Sequence, residues 1–97
     1  FVRMEYGIRA ACVILRRYIR RYGRNTITSI VSAWAPSSEN NTIAYIDKVS
    51  QLSKVAADAP IKYEDKETMC AIIGAMCLVE NGQSVSEAAI SKGYDMA

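Results

Sequence analysis

No stretch of this chain alternates apolar and polar side chains at a strand's period of two; each apolar series advances by three and four residues instead. Such steps keep side chains on one face of a helix, so the pattern predicts an all-helical chain. From Glu5 to Tyr22 the series is Ile8, Ala11, Cys12, Leu15, Ile19 and Tyr22, with Arg9, Arg16, Arg17, Arg20 and Arg21 filling much of the rest, and Gly23 stops the helix. Asn25 or Thr26 is placed to cap a short second helix through Trp34, which Ala35-Pro36 ends because the residue before proline avoids helical angles. After the polar loop Ser37 to Asn41, the residues Ile43, Tyr45, Ile46, Val49, Leu52 and Val55 predict a third helix to about Ala56. Asp58 to Asp65 contains Pro60 and has no period; Met69, Ile73, Met76 and Cys77 then mark a fourth helix closed by Asn81-Gly82. Ser84-Val85-Ser86-Glu87 has the form of a capping box for a short last helix that Gly93 would terminate. The expectation is an all-α single small domain of four to five helices.

A chain of 97 residues has room for one core, not two. With 51% hydrophobic and 23% charged residues it is neither a disordered tail nor a fibrous repeat. It holds no apolar run near the roughly 20 residues that span a bilayer, and no charged-then-apolar leader with a small-residue cleavage site. With no histidine, Ser-His and Cys-His nucleophile pairs are excluded. Cys12, Cys70 and Cys77 are an odd number without zinc-ligand spacing; they read as small core residues in a reducing compartment, and neither metal nor cofactor is expected. Any catalysis falls to carboxylates, hydroxyls or amides. The start at Phe1, without an initiator methionine and with helix signals almost at once, reads as a fragment lacking an N-terminal segment.

The net charge of +2 conceals an asymmetry: residues 1 to 24 hold seven arginines against Glu5, whereas the remainder holds five lysines against nine acids, giving +6 and −4. A basic arm of this kind attracts anionic surfaces or serves as a solvated helix face.

Glu80 is the most unusual ionisable position. It lies three residues after Cys77, four after Met76 and seven after Ile73, so helical geometry turns its carboxylate towards the apolar stripe. It also falls in the last turn before Gly82, where unpaired carbonyls disfavour a negative charge. Partial burial and the helix end together would favour the protonated form that a general acid needs. A second cluster is Trp34-Ala35-Pro36-Ser37-Ser38-Glu39-Asn40-Asn41 with Tyr45. A ring that stacks on sugar faces, with amides and a phenol to read hydroxyls, suits a glycan cleft; a capped turn over a core tryptophan uses the same residues.

The stretch Tyr6-Gly7-Ile8-Arg9-Ala10 through Leu15-Arg16-Arg17-Tyr18, then Tyr22-Gly23-Arg24-Asn25-Thr26-Ile27 and Trp34-Ala35-Pro36, continuing through Ser38-Glu39-Asn40-Asn41-Thr42-Ile43-Ala44-Tyr45-Ile46-Asp47-Lys48-Val49, resembles phage and prophage virion structural proteins with a lysozyme-like fold. The last segment is also similar to the late helix of soluble lytic transglycosylases at Thr42, Tyr45-Ile46 and Lys48-Val49, with Tyr45 in the place of a cleft tyrosine. Those enzymes carry their acid early, where an apolar helix ends in Glu-Ser-Gly; here Leu78-Val79-Glu80-Asn81-Gly82 resembles that piece near the end, in permuted order and with Asn81 for the serine. Permutation is geometrically cheap where the termini of a compact fold lie close together. The phage proteins carry an asparagine-rich segment that has no counterpart before Phe1.

The resemblance implies a peptidoglycan-cleaving muramidase or lytic transglycosylase of phage or prophage origin. Glu80 would be the general acid on the β-1,4 glycan bond, and Tyr45, Trp34, Asn40 and Glu39 would contact substrate. A catalytically silent virion structural or peptidoglycan-binding module of the same fold is the alternative. The implied partners are peptidoglycan glycan strands and other virion proteins, and the implied location is the virion, or the bacterial cytoplasm before assembly. A third reading, nucleic-acid binding, rests on the early arginines and on Ser84 to Tyr94, which looks like the first helix and turn of a helix-turn-helix. The chain stops before a recognition helix could follow, so nucleic acid is not an expected partner.

Overall fold

A computed structural model describes residues 4–34 and 39–97, the side chains of residues 4–6 and 39–40 excepted. All its regular structure is helical: α1 (Met4–Tyr22), α2 (Ile27–Trp34), α3 (Glu39–Ser53), α4 (Lys66–Asn81) and α5 (Glu87–Met96). α1 packs chiefly along α5 and α3 along α4, while α4 also touches α5 and α2 sits against α3. The core is continuous across these contacts: Ile8, Cys12 and Leu15 of α1 meet Ile27, Ile30 and Val31 of α2, Val49 of α3, and Met69, Ile72, Ile73 and Met76 of α4.

Local chemistry sets most helix ends. Gly23 adopts φ +66°, and the Arg24 amide donates to the Tyr18 carbonyl at 2.9 Å, closing α1. Thr26, one of the two expected caps, starts α2. The Ser29 amide donates to its hydroxyl and its own amide donates to the Ser29 hydroxyl, both at 3.1 Å, a reciprocal cap with serine in the usual glutamate position. α4 begins at Lys66 because the Asp65 carboxylate accepts from the Thr68 amide at 3.3 Å and from its hydroxyl at 2.8 Å. It ends at Gly82, whose φ of +70° lets its amide reach the Leu78 carbonyl.

Three expected boundaries move. α3 stops at Ser53, not near Ala56: the hydroxyls of Ser50 and Ser53 take the carbonyls of Val55 and Val49, and Lys54 turns left-handed at φ +61°. The last helix is capped by Ser86, which accepts from the Ala89 amide at 3.2 Å, so Ser84 lies outside it. Gly93 does not terminate α5; it is buried within the helix, which runs on to Met96. Its neighbour Tyr94 explains the continuation, because its ring stacks on Tyr63 with centroids 5.0 Å apart and its hydroxyl donates to the Tyr63 carbonyl at 2.5 Å. The helix-turn-helix resemblance of this segment therefore lacks its turn.

The aperiodic stretch after α3 is anchored through its backbone. The Ile61 amide donates to the Asn25 carbonyl at 2.8 Å, and the Thr28 amide donates to the Ala57 carbonyl at 3.0 Å, so the start of α2 and the residue just before its cap hold the middle of it. Ile61 and Tyr63 are thereby carried into the core.

Candidate functional site

Trp34 ends α2, Tyr45 lies in the second turn of α3, and Cys77 and Glu80 occupy the last turns of α4. The fold brings these four together. Trp34, Cys77 and Glu80 line an apolar cavity of about 190 Å³ whose other walls include Gly7, Ile8 and Ala11 of α1 and Met76. Tyr45 lies behind them, with Glu80, Trp34 and Cys77 as its polar neighbours. Its hydroxyl is buried and has no hydrogen-bond partner among the described residues. Burial pushes the Tyr45 phenol far above its usual range, and the nearby Glu80 carboxylate opposes a phenolate further.

Glu80 itself is exposed to solvent, contrary to the expectation that its neighbours bury it. The apolar stripe of α4 runs through Met69, Ile72, Ile73 and Met76, all essentially buried, and Glu80 lies one turn beyond the last of them. There the helix has outrun its cover. The Gly82 amide also pairs with the Leu78 carbonyl, which removes one of the carbonyls expected to bear on the carboxylate. Of the other expected contacts, Glu39 and Asn40 have their backbones in the first turn of α3 but their side chains outside the described residues, as is the whole of Ala35 to Ser38.

None of the thiols is an activated nucleophile. All three cysteines are free, and burial raises each thiol above its ordinary value, Cys12 to about 11. Among the described residues no group of three or more acidic or cysteine side chains could hold a metal, and no helix is long and apolar enough to cross a membrane.

One feature escaped sequence reading. A groove of about 750 Å³ runs between α4 and α5, with Leu52, Cys70, Gly74, Leu78, Val85 and Ile90 in its walls. Its only sequence signal is the small-residue series Ala71, Gly74 and Ala75. At Gly74 an added Cβ would stand 3.1 Å from the Ile90 side chain, so the absent side chain makes room for α5 to approach.

No protein-family model matches the chain, and no solved structure matches it. Over 91 residues, 93% of its length, it is 36% identical to Protein P5 of Pseudoalteromonas phage PM2. The alignment covers 55% of that protein, so the chain spans about half the length of this relative. The chain is thus similar, along nearly all of its own length, to part of a bacteriophage protein.

Proposed function

We propose that this chain is a phage virion module that acts through binding and assembly and not through glycan cleavage. The similarity to a phage protein along 93% of the chain carries this reading. The exposed position of Glu80 supports the non-catalytic half of it, because the enclosure among apolar neighbours on which the general-acid reading depends is absent at that side chain. Other virion proteins are its partners. Detection of the protein in purified particles by mass spectrometry tests the assembly role, and its absence from particles would sink it.

A muramidase or lytic transglycosylase of lysozyme-like fold is the second reading. What favours it is that Trp34 and Glu80, from different helices, line one apolar cavity with Tyr45 close behind them. Under this reading Glu80 protonates the departing oxygen, and a substrate hydroxyl or acetamido group attacks in place of a second carboxylate. Incubation of this chain and of its full-length parent with purified peptidoglycan, followed by mass analysis of soluble fragments, separates the two. Sedimentation with the glycan, or no interaction, with no muropeptides released fits the first reading. Fragments released by the native protein and not by Glu80→Gln establish the second.

A further inference from the structure

The early arginines divide by what they touch. The Arg9 side chain donates to the Met96 carbonyl at 3.2 Å, Arg16 donates to the Ala97 carbonyl at 2.9 Å, and Arg20 pairs with Glu64. These three lie on the flank of α1 that meets α5 and the segment before α4. Arg17 and Arg21 lie on another face, exposed, with no hydrogen bond or ion pair among the described residues. Arg24, just past the helix, uses one nitrogen on the Ser29 carbonyl at 3.3 Å and forms no ion pair among the described residues.

Beside this Arg17–Arg21 row runs a second row, one residue on, formed by Tyr18 and Tyr22. The two rows lie about 100° apart round the helix and meet where Tyr18 and Arg21, three residues apart, are surface neighbours, so a cationic strip borders an aromatic one there. Tyr18 is half-buried against the core, but Tyr22 is 60% exposed. An exposed tyrosine is not unusual alone; one at the end of a helix whose last turns carry arginines with no acidic partner among the described residues offers a stacking surface close to positive charge. Capping of the helix dipole does not account for the pattern, since Arg17 stands more than a turn before the end of α1 at Tyr22. Nor does an anionic membrane fit best: among the described side chains Ile14 and Tyr22 are the exposed large apolar residues of α1, too few to form an inserting face.

We propose that the outer face of α1, with Arg17, Arg21 and Arg24 as phosphate contacts and Tyr22 as a base-stacking platform, binds single-stranded nucleic acid without sequence preference. No recognition helix is required, because the contacts go to the backbone and to base faces common to all sequences.

The test is fluorescence anisotropy of a labelled oligothymidine of about 20 nucleotides between roughly 50 and 200 mM salt. Three phosphate contacts on a single strand predict a log–log salt slope of about −2, at about −0.7 per contact. The charge reversal R17E/R21E should weaken binding at least tenfold, on the order of two lost ionic contacts, and flatten the slope below about 1 in magnitude. Neither arginine holds the fold, so the helical circular dichroism of that variant should match the parent. Tyr22→Ala should weaken binding by about fivefold or more with the slope unchanged, since it removes stacking and no charge. The proposal fails if the parent does not bind at the lowest salt, if R17E/R21E binds equally well, or if Tyr22→Ala changes nothing. It also fails if phosphatidylglycerol vesicles bind the parent while the oligonucleotide does not, which would assign the face to lipid.

Discussion

Two tyrosines, Tyr45 and Tyr63, end in buried hydroxyls that find no hydrogen-bond partner among the described residues, yet the two halves of the molecule treat them differently. Tyr63 is clamped. The Arg16 and Arg20 guanidiniums stand 5.6 and 5.5 Å from its ring centroid, Tyr94 stacks on it, and Lys66 lies 5.9 Å from the Tyr94 ring centroid, so cations and rings tie α1, the segment before α4, and α5 together. Tyr45 has no such bracing among the described residues. Its hydroxyl has a carboxylate, an indole and a thiol for neighbours, and an apolar cavity lies beside them. One side of the molecule is built for cohesion, and the other holds an incompletely satisfied hollow. Functional sites favour the second kind of place, since groups left unpaired in a fold are available to a ligand.

The largest expected effect separates the two sides by stability. Tyr63→Ala removes a ring that is only 6% exposed together with its stack and both cation contacts, and should cost about 3–5 kcal/mol in urea unfolding. Trp34→Ala, which trims a half-buried ring at the hollow, should cost no more than about 2 kcal/mol. Equal losses would mean that the hollow is as firmly built as the clamp.

Next in size is an alkaline effect shared by both sides. Burial lifts the Tyr63 phenol from 10.0 to about 12, with Arg16 pulling the other way, and lifts Tyr45 still further. A group whose folded pKa exceeds its unfolded one gives its full stabilisation below the unfolded value and loses it as the pH rises. Between pH 10 and 12 the unfolded chain releases the Tyr63 proton while the folded chain keeps it, so stability should fall across that window. Unfolding midpoints of Tyr63→Phe and Tyr45→Phe, followed from pH 9 upward, should each decline less steeply than the parent's. A parallel decline in all three proteins would show that the phenols ionise alike in both states.

What was legible in the sequence follows the same division between local and tertiary causes. The starts and stops set by neighbouring residues could be read directly: Gly23 at the end of α1, Thr26 before α2, Gly82 after α4. Gly93 was misread as a stop because Tyr94 continues the helix for the sake of Tyr63, a ring 31 residues away in a stretch with no period of its own. The clamp was invisible for that reason. At the hollow, periodicity gave the direction in which Glu80 leaves α4, but not that the buried stripe ends at Met76, one turn before it. The carboxylate therefore reaches solvent, and the chemistry inferred from its burial loses its support.

At neutral pH the two hydroxyls themselves should matter little. Deleting an unpaired buried hydroxyl returns its desolvation cost, so Tyr45→Phe should be neutral or stabilising by up to about 1 kcal/mol. Tyr63→Phe should behave alike, because its hydroxyl is likewise buried without a hydrogen-bond partner among the described residues.

The smallest effect sharpens the description of the clamp. Arg20 has two reasons to lie where it does, the Glu64 carboxylate and the Tyr63 ring, and both of its ion-pair side chains are more than half exposed at 53% and 66%. Exposed pairs are screened by water and salt and carry the entropy of holding two long side chains still. The Tyr63 ring is fixed by its own burial and costs nothing further to present. Glu64→Gln should therefore leave the unfolding midpoint unchanged at both low and high salt, whereas Arg20→Gln, which also strips a cation from the ring, should lower it at both. If Glu64→Gln lowers the midpoint at low salt only, the ion pair and not the ring positions Arg20, and the clamp owes part of its cohesion to surface charge.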